Sequence, residues 1–230
     1  MKVHEAKSAQ APGGLQKHIE RLKYRILAVG GLVETAIARS ISALVQRDAV
    51  LASAVIAADA YIDRAEVEVE EDCVRILEDH QPKGNDLRFV VAVLKINSSL
   101  ERMGDLAENI AEAVISLSAC ERFRRVGGCR EMAEKAQAMV HKSLQALVHG
   151  DTLLAREVSR DDAAVDRLQR QISERIEIEL ERCPENAPPL MQLSYLTRQL
   201  ERLGDMATNV AEDVIYMVEG QIVRHGADAK

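Results

Sequence analysis

Eight carboxylates and two carboxamides recur along this chain at spacings that could hold cations. Asp59 and Asp63 are four residues apart, and Asp162 and Asp166 repeat that step. Glu101, Asp105 and Asn109 climb in fours, as do Glu201, Asp205 and Asn209. A step of four keeps side chains on one face of a helix. If two such helices run antiparallel about Pro82, Asp63 and Glu101 are equidistant from the turn, and so are Asp59 and Asp105. In the second set the midpoints fall together at Cys183-Pro184. Each hairpin would then carry two acidic pairs at matching heights.

Carboxylates gathered in this way repel one another, so either some protonate or a cation sits among them. Oxygen-only ligands favour hard or borderline ions: Mg, Ca, Mn or Fe, with Zn possible. Carboxylates also bridge, which allows more than one ion per site. The competing reading is a solvated helix face balanced by Arg and Lys. Recurrence of the same residues at the same heights favours the site, because a solvated face needs only charge. The Glu101-Asp105-Asn109 stripe points nearly opposite the apolar seam of its helix, so any such site lies on the bundle surface.

The elements that must position these acids are helical and duplicated. A shift of 103 superposes Asp48-x-x-Leu51-Ala52-x-x-Val55 on Asp151-x-x-Leu154-Ala155-x-x-Val158, and Asp59, Ala60, Asp63 and Arg64 on Asp162, Ala163, Asp166 and Arg167. A shift of 100 superposes Leu100-Glu101-Arg102-Met103-Gly104-Asp105 on Leu200-Glu201-Arg202-Leu203-Gly204-Asp205. The expected fold is all-α: two tandem three-helix bundles, six long helices in all, related by internal duplication. The spacing predicts helices over 15–46, 49–80 and 85–121, then 129–149, 151–182 and 188–221, with Gln81-Pro82-Lys83-Gly84-Asn85 as a stop and Asp48 and Asp151 as N-caps. The first repeat is expected over 15–125 and the second over 126–223, between a disordered leader (1–14) and tail (224–230). Leu100, Met103, Ala107, Ile110, Val114 and Leu117 alternate steps of three and four, the mark of a bundle seam. Helices of about 30 residues are roughly 45 Å long, which predicts an elongated molecule. Gly104 and Gly204, inside helices, serve either close helix approach or room for a ligand beside Asp105 and Asp205.

Composition narrows the function classes. Aromatics are 3% of the 230 residues, tryptophan is absent and net charge is −7. No basic stripe runs along any helix, which argues against nucleic acid as a partner. Arg122, Arg124 and Arg125 form the densest basic spot and read as a solvated helix end. Four cysteines without a Cys-x-x-Cys fit a reducing, cytoplasmic setting. Unbroken apolar runs such as Phe89 to Leu94 are too short to span a bilayer, so no direct membrane insertion is expected. A di-metal oxidase or hydrolase would pair Glu with His three residues on, and no histidine here lies so. A non-enzymatic protein is expected. A metal-free helical adaptor would explain the amphipathic helices but not the duplicated acids.

The Leu100–Glu112 segment, its copy Leu200–Glu212, and Gln81-Pro82 through Asp86-Leu87-Arg88 strongly resemble the PhoU family, with likeness from about Leu15 to Val223. The resemblance implies two three-helix bundles with multinuclear metal clusters, iron or zinc, on their surfaces. The family's ligand motifs match Asp59, Asp63, Glu101 and Asp105, then Asp162, Asp166, Glu201 and Asp205. It also implies a regulator of phosphate uptake that contacts the ATPase subunit of the phosphate ABC transporter and a sensor histidine kinase, repressing the phosphate-starvation response. A second copy of the chain, as a homodimer, is a further expected partner. Met206 stands where family members often carry histidine, which removes a possible nitrogen ligand.

Overall fold

A computed structural model describes residues 13–120 and 126–223. It contains six long helices: α1 (Gly13–Gln46), α2 (Ala49–His80), α3 (Gly84–Ser118), α4 (Cys129–His149), α5 (Thr152–Arg182) and α6 (Ala187–Glu219), with a short 3-10 turn at Pro184–Asn186. The leader reading of 1–14 meets α1 two residues early, at Gly13. The rest of it, the tail and the Arg122, Arg124, Arg125 cluster lie outside the described residues. The end of α3 at Ser118, three residues short of the expected 121, is the largest shift of a helix end.

Local chemistry sets these boundaries. The Asp48 side chain accepts from the backbone N–H of Val50 and Leu51 at 2.9 and 3.0 Å. Asp151 does the same for Leu153 and Leu154, at 3.0 Å each. Each cap satisfies donors that a helix start leaves unpaired. α2 closes at Gln81 in the left-handed region, ahead of Pro82.

Seams of alternating three and four then build the core. On α3 the run Val93, Ile96, Leu100, Met103, Ala107, Ile110, Val114, Leu117 is buried throughout. Leu196, Leu200, Leu203, Ala207, Val210 and Val214 do likewise on α6. α1 supplies Ile19, Leu22, Ile26, Val29, Val33, Ile37 and Ile41. Truncating any large member of these seams to alanine costs about 2–5 kcal/mol. Gly14–Gln46 is long and apolar enough, by length and composition, to cross a membrane (mean hydropathy 1.4), although no unbroken run signals it. The windowed average counts apolar residues that, in this fold, pack against α2 and α3.

α1, α2 and α3 form one bundle and α4, α5 and α6 the other; the two join chiefly through α3 against α6. That contact is antiparallel, since Lys95 of α3 pairs with Asp213 near the end of α6, and Tyr195 near its start meets Asn109 of α3. Asp213 is 2% exposed and therefore demands such a partner. A thinner seam joins α1 to α4, where Glu34 meets His141 at 2.6 Å. Within the first bundle, buried Asp72 ties α2 to α1 through Arg25 at 3.1 Å. All four cysteines are free.

Candidate functional site

The acids converge where α2 meets α3 and where α5 meets α6. The register is visible at Gly104: a β-carbon there would stand 3.2 Å from Ile62 and 3.3 Å from the Asp59 carboxylate. At Gly204 it would stand 3.3 Å from the Asp162 carboxylate and 3.6 Å from Met139. Close approach of the neighbouring helix is what the structure shows at both glycines. The missing side chain lets the helices close, and it leaves the space into which an aspartate from the neighbouring helix reaches.

Charge coupling shows which side chains share each groove. Burial first, then Asp63, Glu108, Asp105 and Glu101, push the Asp59 carboxyl up from 3.8 to about 6. Burial, then Asp166 and Asp205, push Asp162 up to about 6 as well. Glu101 is raised by burial, Asp105, Glu66 and Asp63, with Arg102 opposing. Asp105 is raised by burial and Asp63, and Arg102 again opposes. In the second groove Glu201 is raised by burial and then by Asp205, Asp166 and Asp162, while Asp205 is raised by burial and Asp166; Arg202 opposes both. The eight carboxylates thus stand in two fields of four, at the surface of each bundle. Among the described residues no three His, Cys, Asp or Glu side chains form a ready-made coordination shell.

The two asparagines belong elsewhere. The Asn109 oxygen accepts from the Tyr195 hydroxyl at 3.0 Å, across the α3–α6 contact. Asn209 lines the groove between α3 and α6 beside Lys95, Ser98, Ser99 and Arg102, and its amide donates to the Met206 sulfur at 3.8 Å. A ladder of fours precesses by about 40° per step on a helix of 3.6 residues per turn, so its third rung turns about 80° from the first.

Two further acids share the first groove and were not singled out by spacing. Glu66 is raised by burial, Glu70 and Asp63; Glu108 by burial, Glu112, Asp105 and Asp63. Each stands three residues after a member of the four, a step that shares a face as well as a step of four does. Their counterparts in the second groove are Gln169 and Thr208.

The donor set fits a multivalent cation. It is all oxygen, its charges raise one another, and in each groove a glycine keeps open the place beside an aspartate that a methyl group would crowd.

Comparison with known proteins follows this architecture. The family model described as the PhoU domain matches twice, over residues 26–114 and 129–214, one match per bundle. A protein of Aquifex aeolicus described as a phosphate-specific transport system accessory protein PhoU homolog is 38% identical over 92% of this chain and 96% of its own length. One of Serratia marcescens, a phosphate-specific transport system accessory protein PhoU, is 31% identical over 94% of this chain and 90% of its own. Among solved structures, PhoU from Pseudomonas aeruginosa superposes with a TM-score of 0.87 at 33% identity, covering 90% of this chain and 99% of that one.

Proposed function

The chain belongs to the PhoU family, and from that premise we propose that it is a metal-binding cytoplasmic regulator of phosphate uptake and of the phosphate-starvation response. It acts by contact: on the ATPase subunit of the phosphate ABC transporter and on a sensor histidine kinase, repressing the response when phosphate is sufficient. It works as a homodimer and catalyses nothing itself. The relatives' description as accessory proteins of phosphate-specific transport supports the pathway.

The observation that carries the metal reading is the crowding of carboxylates from two helices in each of two equivalent grooves, where burial and neighbouring acids raise Asp59, Glu101 and Asp105 in the first and Asp162, Glu201 and Asp205 in the second. Asp59, Asp63, Glu101 and Asp105 would hold the first cluster, and Asp162, Asp166, Glu201 and Asp205 the second. Iron or zinc is proposed from the family likeness; Mg, Mn and Ca are compatible with the oxygen donors. A bound cation supplies positive charge that offsets the repulsion among the acids. The chain's own contribution is to set two helices at fixed register, so that the acids from both rise at one height. Gly104 and Gly204 bring those helices close, and Arg102 and Arg202 offset part of the negative field. Neutralised grooves would keep each hairpin rigid as a docking face.

Co-purification of the tagged full-length chain from phosphate-replete and phosphate-starved cells tests the regulatory reading. Recovery of the transporter ATPase and a histidine kinase supports it; their absence under both conditions refutes it. Elemental analysis of the purified protein tests the metal reading separately.

A further inference from the structure

Resting on the metal reading above, we infer that the two acid grooves are unequal cation sites: Glu66, oriented by buried Asn97, adds a ligand that makes the first groove the stronger. Asn97 is 1% exposed, and its Nδ2 donates to the Glu66 carboxylate at 3.0 Å and to the Glu66 backbone oxygen at 2.9 Å. A buried carboxamide inside a helical seam is costly unless its hydrogen bonds are made. Here both donated bonds go to one glutamate on the neighbouring helix. The carboxamide oxygen has no hydrogen-bond partner, leaving a buried acceptor beside the acid field. Asn97 lies about one turn before Glu101 on α3.

The second groove lacks this carboxamide–glutamate pair. Asn97 corresponds to Thr197, whose hydroxyl donates to the Ser194 oxygen of its own helix at 3.0 Å. Glu66 corresponds to Gln169, whose amide donates to Ser173 of its own helix at 3.3 Å. Glu108 corresponds to Thr208, whose hydroxyl is buried without a partner. The duplicated framework is kept, while the first groove offers six carboxylates and the second four. More anionic oxygens, one held in place in advance, bind a divalent ion more tightly. Asn97 acts as a positioning residue, since it touches the ligand and not the ion.

Calorimetric titration of metal-free protein with Mn2+ alone, with bound ions counted from the EPR signal, tests this. Two separable affinity classes are expected. Glu66→Gln weakens the tighter class by roughly tenfold or more and leaves the other unmoved, and Asn97→Thr, which copies the second repeat, acts on the same class. Gln169→Glu strengthens the weaker class. Asn97→Thr that lowers the melting temperature of the metal-free protein but leaves the tighter class in place would show a purely structural role for Asn97 and overturn its part in the site. Equal affinities in the unaltered protein, or Glu66→Gln with both classes unmoved, overturns the inference while leaving cation binding itself standing. Failure to take up Mn2+ at all overturns the reading beneath it, and the inference with it.

Discussion

The Asp59 carboxylate fills the space that a side chain on Gly104 would claim, at 3.3 Å from the missing β-carbon, and Asp162 bears the same relation to Gly204. Gly104→Ala therefore sets two effects against each other. Alanine favours the helix by about 1 kcal/mol, while its methyl presses on Ile62 and Asp59. The expected result is metal-free stability within about 1 kcal/mol of the parent, with the Asp59 carboxylate displaced and cation affinity reduced. Thermal denaturation beside a Mn2+ titration checks both halves; unchanged affinity would show that the space is not used.

The pH dependence of the metal-free protein has an uncommon sign. Asp59 and Asp162 have folded-state values near 6 against 3.8 ordinarily, so between those values the folded form binds more protons than the unfolded. Their contribution grows as pH falls through 6 and is lost as pH rises. Melting temperature should increase from about pH 7 to about pH 5. Asp59→Asn with Asp162→Asn should flatten that slope. A slope of the opposite sign in the parent would contradict the crowding of these acids.

Chelation should remove stability that the metal supplies. A ligand held at a hundredfold excess over its Kd adds about 2.7 kcal/mol, which is roughly 5–10 °C for a chain of this size. The response should vanish in Asp63→Asn with Asp166→Asn, one substitution per groove. Differential scanning fluorimetry with and without EDTA reads it, and a melting curve indifferent to chelator would remove metal from the account.

The helix caps give a prediction independent of any ligand. Asp48→Ala and Asp151→Ala should each cost about 1 kcal/mol. They lie in different bundles, so the double variant should lose close to the sum. Urea denaturation measures this, and a change below a few tenths would mean water replaces the cap at no cost.

The fold was largely legible because breakers and caps sit at the helix ends. Pro82, Gly150 and Pro184 mark stops, while Pro188 and Pro189 in the first turn of α6 and the two aspartate caps mark starts. The duplication supplied the architecture that periodicity alone could not. The nearness of the acids across α2 and α3, and across α5 and α6, was legible because matching heights follow from arithmetic about the turns. Sequence spacing misplaced Asn109 and Asn209 by treating a ladder of fours as straight, and passed over Glu66 and Glu108 for the same reason. A step of seven returns to within about 20° of its start, so Glu108 stays nearer the Glu101 face than Asn109 does. Tyr195 as a partner could not be read at all, because nothing in the chain fixes how α3 meets α6.

That antiparallel meeting has an evolutionary corollary. Lys95 and Tyr195 occupy equivalent places in the two copies, and each lies toward the far copy's α3 or α6 counterpart, Asn209 or Asn109. Reciprocity of this sort is the signature of a two-fold axis. Half of this chain alone would leave its third helix bare and would have to find a twin. Duplication within one polypeptide supplies that twin, so each half covers the other without a second chain.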